Sequence, residues 1–455
     1  MTHPPGTAAV WDALGGDPAL LSRISYLTRA GALPARLPVR ALARACVGAC
    51  ALAAAELAAT RAGRPVAEVR VDDGALATAF TSERHLRVDG RAPVNFAPLS
   101  RFWRTADGRV RTHANYPHHR ARLRAVLGVG PDATVEEVAE LLAGRSAYEV
   151  EETVYAAGGL AVALRTPEQW AAHPQGAAVA ARPLLSRERL DDAAPRVVRG
   201  ARPPRVLDLT RVIAGPVATR TLALLGADVL RVDAPDLPED PDAHADTGFG
   251  KRSTRLDLAR GADRRTFETL LAGADVVVTG YRPGALDRFG LAPRALLERR
   301  PGLVVAELSA WGAYGPWAGR RGFDSLVQAA TGIGAVEGSA AEPGALPAQA
   351  LDHGTGYLLA AGVLRALTDQ AREGGSRVLG LALARTARWL VHELPPEPVV
   401  SEGRLDPAPW LAETDSALGR LRYALPPVSF AGGPADWARP PGRWGTDAPV
   451  WASHG

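Results

Sequence analysis

The sequence predicts an α/β protein, with a doubly wound parallel sheet in the second half of the chain and a smaller α+β part in the first. Three observations carry that expectation. Short β-branched runs recur after residue 204: "RVLDLT" at 205–210, "ADVLRVD" at 227–233, "ADVVVTG" at 274–280 and "GLVVAELS" at 302–309. Segments of helical period lie between them, among them "GPVATRTLALLG" and "DRRTFETLLAGA". Strands alternating with helices are the pattern of a parallel sheet whose crossovers cover its faces. The stretch 190–204, rich in charge and proline and poor in periodic apolar positions, divides this region from a first half of different texture.

In that first half, an Ala-rich helix is expected near 41–62, followed by a strand within "AEVRVDDGALATAF". A hairpin follows, turning at "ADG" in "FWRTADGRVRT", and then helices at 134–144 and 146–157. The boundaries that result are a first block at 1–189, a linker at 190–204, a Rossmann-like domain at 205–390 and a tail at 391–455. A faint internal repeat lays "ALAAAELAATRAGRPVAEVRV" (51–71) over "LAAGVLRALTDQAREGGSRVLGL" (359–381). Each is an Ala/Leu helix, an arginine, a glycine turn and an apolar strand.

Composition sets the function classes. With 455 residues and 47% hydrophobic content, the chain can bury a sizeable core. Its formal net charge is only +4, and basic and acidic residues alternate, which argues against a nucleic-acid surface. Lys251 is the single lysine. Cys46 and Cys50 share a helix face but have no partner pair at ligand spacing, so they read as small core residues rather than a metal site. His113, His118 and His119 match no zinc spacing and read as solvated residues at a helix start. No leader pattern opens the sequence and no uninterrupted apolar run reaches ~18 residues, so the expectation is a cytoplasmic protein with no membrane span.

The chemistry has two candidate centres. The first strand ends at "LTRVIAGP" and the second at Asp233, an arrangement that invites a dinucleotide site. The glycine turn that such a site requires is missing, because Gly215 is followed by Pro216. The other centre is "RRGFDSLVQAATG", residues 320–332, where Asp324 heads a small apolar stretch. On its own it reads first as a helix N-cap and only second as a carboxylate held for nucleophilic attack.

Five ordered segments over residues 205–367 resemble the family III CoA-transferases, the group that includes formyl-CoA and carnitine CoA-transferases. They are "RVLDLTRVIAGPVATRTLALLGADVLRVDAP", "GKRSTRLDL", "ADVVVTGYRPGALDRFGL", "AELSAWGAYGPWAGRRGFDSLVQAATG" and "LDHGTGYLLAAGVLRAL". The resemblance implies acyl-CoA and a small carboxylic acid as substrates, coenzyme A bound as substrate with no tightly held cofactor, and a homodimer. It assigns Asp324 as the nucleophile, passing through an anhydride and an aspartyl-CoA thioester, with Gly322 leaving room for the thioester. It places Lys251, Arg252 and Arg288 on the phosphates, Tyr281 beside the adenine or phosphates, and Val212, Ile213 and Ala214 along the pantetheine arm.

The same fold hosts α-methylacyl-CoA racemases, which resemble this chain but carry a histidine where it has Phe323 and a second acid where it has Asp352. Phe323 favours transfer, while His353 beside Asp352 keeps an isomerase as the alternative. A non-catalytic CoA-binding paralogue is a third reading. Residues 41–185 resemble the family's return helix and small domain, so the parts stand in a changed order, as if two copies had fused.

Overall fold

The computed structural model describes residues 5–195, 202–339, 341–397 and 403–452. The linker expected at 190–204 falls partly outside them. The α/β expectation is met by one seven-stranded sheet. Its strands in chain order are β1 (Ser186–Arg189), β2 (Arg205–Leu209), β3 (Asp228–Asp233), β4 (Arg252–Arg255), β5 (Val276–Thr279), β6 (Val304–Ser309) and β7 (Arg377–Ala382). Across the sheet they run β4-β3-β2-β5-β6-β7-β1, parallel except for β1, which pairs antiparallel with β7. The β-branched runs became β2, β3, β5 and β6 because their side chains are buried on both faces. Periodicity missed β1 and β4. "SRER" and "RSTR" are polar strands at the two edges, where no apolar alternation is required.

Four helices place the site: α1 (Val39–Ala62), α2 (Ala214–Leu224), α3 (Asp324–Ala330) and α4 (Ala350–Glu373). Among the described residues α1 is the one helix long and apolar enough to cross a membrane, yet 83% of its apolar window is buried inside the protein. It packs against α4. A Cβ at Gly354 would meet Leu42 Cδ2 at 2.7 Å, so the missing side chain sets how closely the two helices approach. Cys46 and Cys50 lie in that core with fully buried thiols, as expected of small packing residues. The core is continuous from Trp11 and Leu52 in the first block to Val217, Leu326 and Leu359 in the second.

The expected hairpin forms between Phe102–Arg104 and Arg109–Thr112, and Ala161–Ala163 adds a third antiparallel strand. Helices Pro117–Leu127, Val135–Ala143 and Ala147–Ala156 cover it around a small core of its own that includes Trp103, Leu123 and Val150. Thr134 and Glu137 close the second of these helices with reciprocal caps. The tail is pinned to the large sheet by indole N–H groups. Trp437 donates to the Arg220 carbonyl at 2.8 Å, Trp444 to Asp233 at 2.9 Å and Trp451 to the Leu270 carbonyl at 3.0 Å. At β4, Asp447 accepts from the Ser253 N–H at 2.7 Å and its own N–H donates to the Ser253 carbonyl at 2.8 Å.

Candidate active site

A cavity of about 600 Å³ opens between the first block and the ends of the sheet. That volume suits a small ligand or the reactive end of a larger one. One wall comes from residues 83–97 and 113–117 of the first block, and the other from Val212, Ile213, residues 238–247, the start of α3 and the start of α4. Both halves of the chain thus line one cavity.

Asp324 is the first residue of α3 and is 1% exposed. It is no N-cap, since Phe323 holds that position without a side-chain cap. Both of its oxygens are occupied. Oδ1 accepts from the Gln328 amide, whose own carbonyl accepts from the Leu346 N–H at 2.9 Å, and Oδ2 accepts the Asp352 N–H at 2.9 Å. Burial pushes the Asp324 carboxyl up to about 6, against the hydrogen bonds that lower it.

Asp352 lies in the first turn of α4, lines the same cavity, and among the described residues its carboxyl oxygens accept no hydrogen bond. Burial, then the nearby Asp324 and Glu83 charges, hold its carboxyl well above the usual range. The two acids form a dyad in which the charge of Asp324 raises the Asp352 pKa. Behind them His353 is fully buried, 3.3 Å from Glu83 and stacked on Phe80.

Phe323 is covered by the His113 ring, parallel to it at 3.7 Å. The histidine cluster is therefore not solvated as expected. His113 and His119 are buried, and burial pushes both imidazoles down to about 3; only His118 reaches solvent. Gly322 also differs in its reason. A Cβ there would meet Ala310 at 2.5 Å and the Trp311 indole at 2.7 Å, so the glycine admits Trp311 rather than a ligand.

Val212 and Ile213 line the cavity, and Ala214 opens α2 behind them. Val212 has φ +71°, a left-handed conformation costly for a β-branched residue, and its N–H donates to Glu239 at 3.2 Å. Arg231, itself buried, holds that glutamate at 2.9 Å.

The structure does not bring the expected phosphate grips together. Lys251 is buried in an ion pair with Asp208 at 3.0 Å and also donates to the Pro216 carbonyl. Arg252 on β4 pairs with Asp228 at 2.7 Å. The reason is the sheet itself: two buried acids on neighbouring strands require these cations. Tyr281 packs against the core at the end of β5, and Arg288 is exposed over the Phe289 ring.

Sequence reasoning missed Arg282 and Arg321, both exposed and, among the described residues, without an ion pair. Burial first, then repulsion from Arg282 and Arg122, lowers the Arg321 pKa. Uncompensated like charges of this kind suit an anion. Gln328 was missed as well. Its spacing of one helical turn from Asp324 was the available signal.

Residues 204–408 match the model of CoA-transferase family III. The match covers less than half of the chain. The chain is 36% identical over 197 residues to acetyl-coenzyme A transferase nodX of Hypoxylon pulicicidum, covering 42% of this chain and 33% of that protein. It is 36% identical over 196 residues to the probable fatty acyl-CoA transferase Rv3272 of Mycobacterium tuberculosis, covering 39% and 49%. Formyl-CoA:oxalate CoA-transferase of Streptomyces coelicolor is 33% identical over 191 residues, covering 39% and 46%. The crystal structure of Rv3272 aligns with a TM-score of 0.40 at 34% identity, over 44% of this chain and 56% of that one. The chain thus spans half or less of the length of these curated relatives.

Proposed function

We propose that this cavity transfers coenzyme A from an acyl-CoA donor to a carboxylic acid through the Asp324–Asp352 dyad. The observation that carries the reading is the unequal hydrogen bonding of the two acids. Each Asp324 oxygen accepts one hydrogen bond, which lowers its nucleophilicity without removing its second lone pair, while among the described residues the Asp352 oxygens accept none. The attacking group is therefore Asp352, and Asp324 positions it by accepting its backbone N–H. This reading differs from the resemblance, which gives the attack to Asp324.

Asp352 attacks the thioester carbonyl carbon and the CoA thiolate leaves, which gives a mixed anhydride. The thiolate then attacks the aspartyl carbonyl and expels the donor carboxylate. The acceptor carboxylate attacks the resulting aspartyl thioester, and the returning thiolate takes the acyl group and frees Asp352. Burial supports both halves, because it strips the carboxylate of water and shields the anhydride from hydrolysis. Asp352 must be ionised to react, and burial with the neighbouring Asp324 charge raises its pKa, so adduct formation rises with pH well above the usual carboxylate range.

The test is incubation with acyl-CoA, trapping with borohydride or hydroxylamine, and mapping of the modified peptide. A label on Asp352 is expected. A label on Asp324 exchanges the two roles, and no label with any thioester favours a non-catalytic paralogue. The isomerase alternative draws on His113, which reaches the cavity beside Phe323. An imidazole with so low a pKa is a weak base, and exchange of the α-hydrogen in deuterated water without CoA transfer is the result that favours that alternative.

A further inference from the structure

The walls of the cavity carry information about the acyl group, and the inference drawn from them rests on the transfer reading above. Four of the acids that line it already hold a cation. Glu83 faces Arg84 at 3.8 Å, Glu239 holds Arg231 at 2.9 Å, Asp242 holds Arg91 at 2.5 Å and Asp246 holds Arg220 at 3.2 Å. Three further acids have no such partner: Asp324, Asp352, whose carboxyl burial holds toward its neutral form, and Asp240, which caps the helix Pro241–Thr247. Among the described residues that line the cavity, Arg84 is the one Lys or Arg, and it lies 3.8 Å from Glu83. Among the lining side chains a second carboxylate on the acyl group would find no free cation and several acids, and Arg111 behind the rim is stacked on the Phe96 and Phe102 rings at 5.3 and 5.1 Å.

The rest of the wall is apolar. Leu86, Pro93, Val94, Phe96, Ile213 and Phe323 line it. Val94 and Phe96 are 78% and 39% exposed, two of the five large apolar side chains left in solvent among the described residues, and they stand together at this mouth. Apolar area held at a cavity rim is area that a ligand removes from water.

We propose that the site takes acyl groups without a second charge, short to medium aliphatic chains whose tail lies against Val94 and Phe96, and rejects dicarboxylic thioesters. The match is one of walls to cargo: a carboxylate-free chain meets aliphatic side chains and displaces water from the rim, while a succinyl group brings its terminal charge among acids already paired or already negative.

Hexanoyl-CoA and succinyl-CoA, which share the coenzyme and differ in this charge, are the probes. Their dissociation constants are measured on the full chain by calorimetry, and trapped adduct is measured in parallel. Hexanoyl-CoA binding at least tenfold tighter is the expected result, and Val94→Arg, a substitution at an exposed position, should narrow the ratio by supplying the missing cation. Equal binding, or tighter binding of succinyl-CoA, overturns the proposal even where adduct forms and the transfer reading stands. A tenfold preference with no adduct from either thioester leaves the specificity intact and sinks the transfer reading instead.

Discussion

Two parts of this molecule share a backbone plan and differ in chemistry. In the first, strand Ile24–Leu27 leads to the 24-residue α1, which ends on Gly63 at φ +64°; strand Val69–Asp72 then pairs parallel with the first strand. In the second, β6 leads to the 24-residue α4, which ends on Gly374 at φ +71°, and β7 pairs parallel with β6. Even the entries agree. Pro38 and Gln349 precede the helices at φ −74° with ψ 56° and 63°. Yet where α4 carries Asp352 and His353, α1 carries Ala41 and Leu42. The chain between strand and helix is short in the first unit, 28–38, and long in the second, 310–349, where it holds α3 and Asp324. The unit is a frame, and the chemistry comes from one acid and one insertion.

Four changes break or sharpen that comparison. The largest effect belongs to Asp352→Asn, which removes the attacking oxygen and should lower transfer by at least ~10³-fold in kcat while the melting temperature holds or rises. Next is the contact that ties the two units. Arg365 of α4 is ion-paired with the buried Glu56 of α1 and with Asp369 at 2.8 Å. Arg365→Met leaves Glu56 to Arg372 at 3.1 Å and Asp369 to Arg187 at 2.5 Å, each with one cation fewer, and should cost about 3 kcal/mol in urea unfolding.

The third change tests packing that only the second unit has. A Cβ at Gly356 would lie 2.6 Å from the Ala214 carbonyl oxygen, whereas Ala45 stands at the matching position of α1. Gly356→Ala should cost about 1–3 kcal/mol and shift Ile213 at the cavity wall, read as a rise in KM for acyl-CoA. The smallest is Ala41→Asp, which restores the acid to the first frame. An acid in a first helical turn leaves stability within about 0.5 kcal/mol, and no adduct should form at position 41, because no counterpart of Asp324 holds it. A trapped thioester there would mean that the frame alone suffices.

Much of this was legible beforehand. The inner strands announced themselves because burial on both faces demands unbroken apolar runs, and the repeat was visible because each helix must end on glycine to turn back. The polar edge strands β1 and β4 carry no such demand and left no pattern. Asp324 and Asp352 were both picked out in the sequence, but their division of labour was not, because it depends on a backbone N–H from one helix reaching an acid on another. Lys251 misled for a related reason. A lone lysine among arginines looks functional in a string of letters, while in space it neutralises Asp208 beneath α2. His113 and His119 seemed surface residues because "NYPHHR" reads as a polar helix start, and only the docking of the small unit on Phe323 buries them.

The edges of the large sheet carry a last consequence. On one side β1 runs antiparallel along β7, and on the other the tail lies against β4 through Asp447. The tail thus meets β4 at Ser253, while β1 presents the other outer edge of the sheet with one strand neighbour only. That edge is four residues long and carries Arg187, Glu188 and Arg189, and shortness and charge of this kind discourage a second strand from adding there.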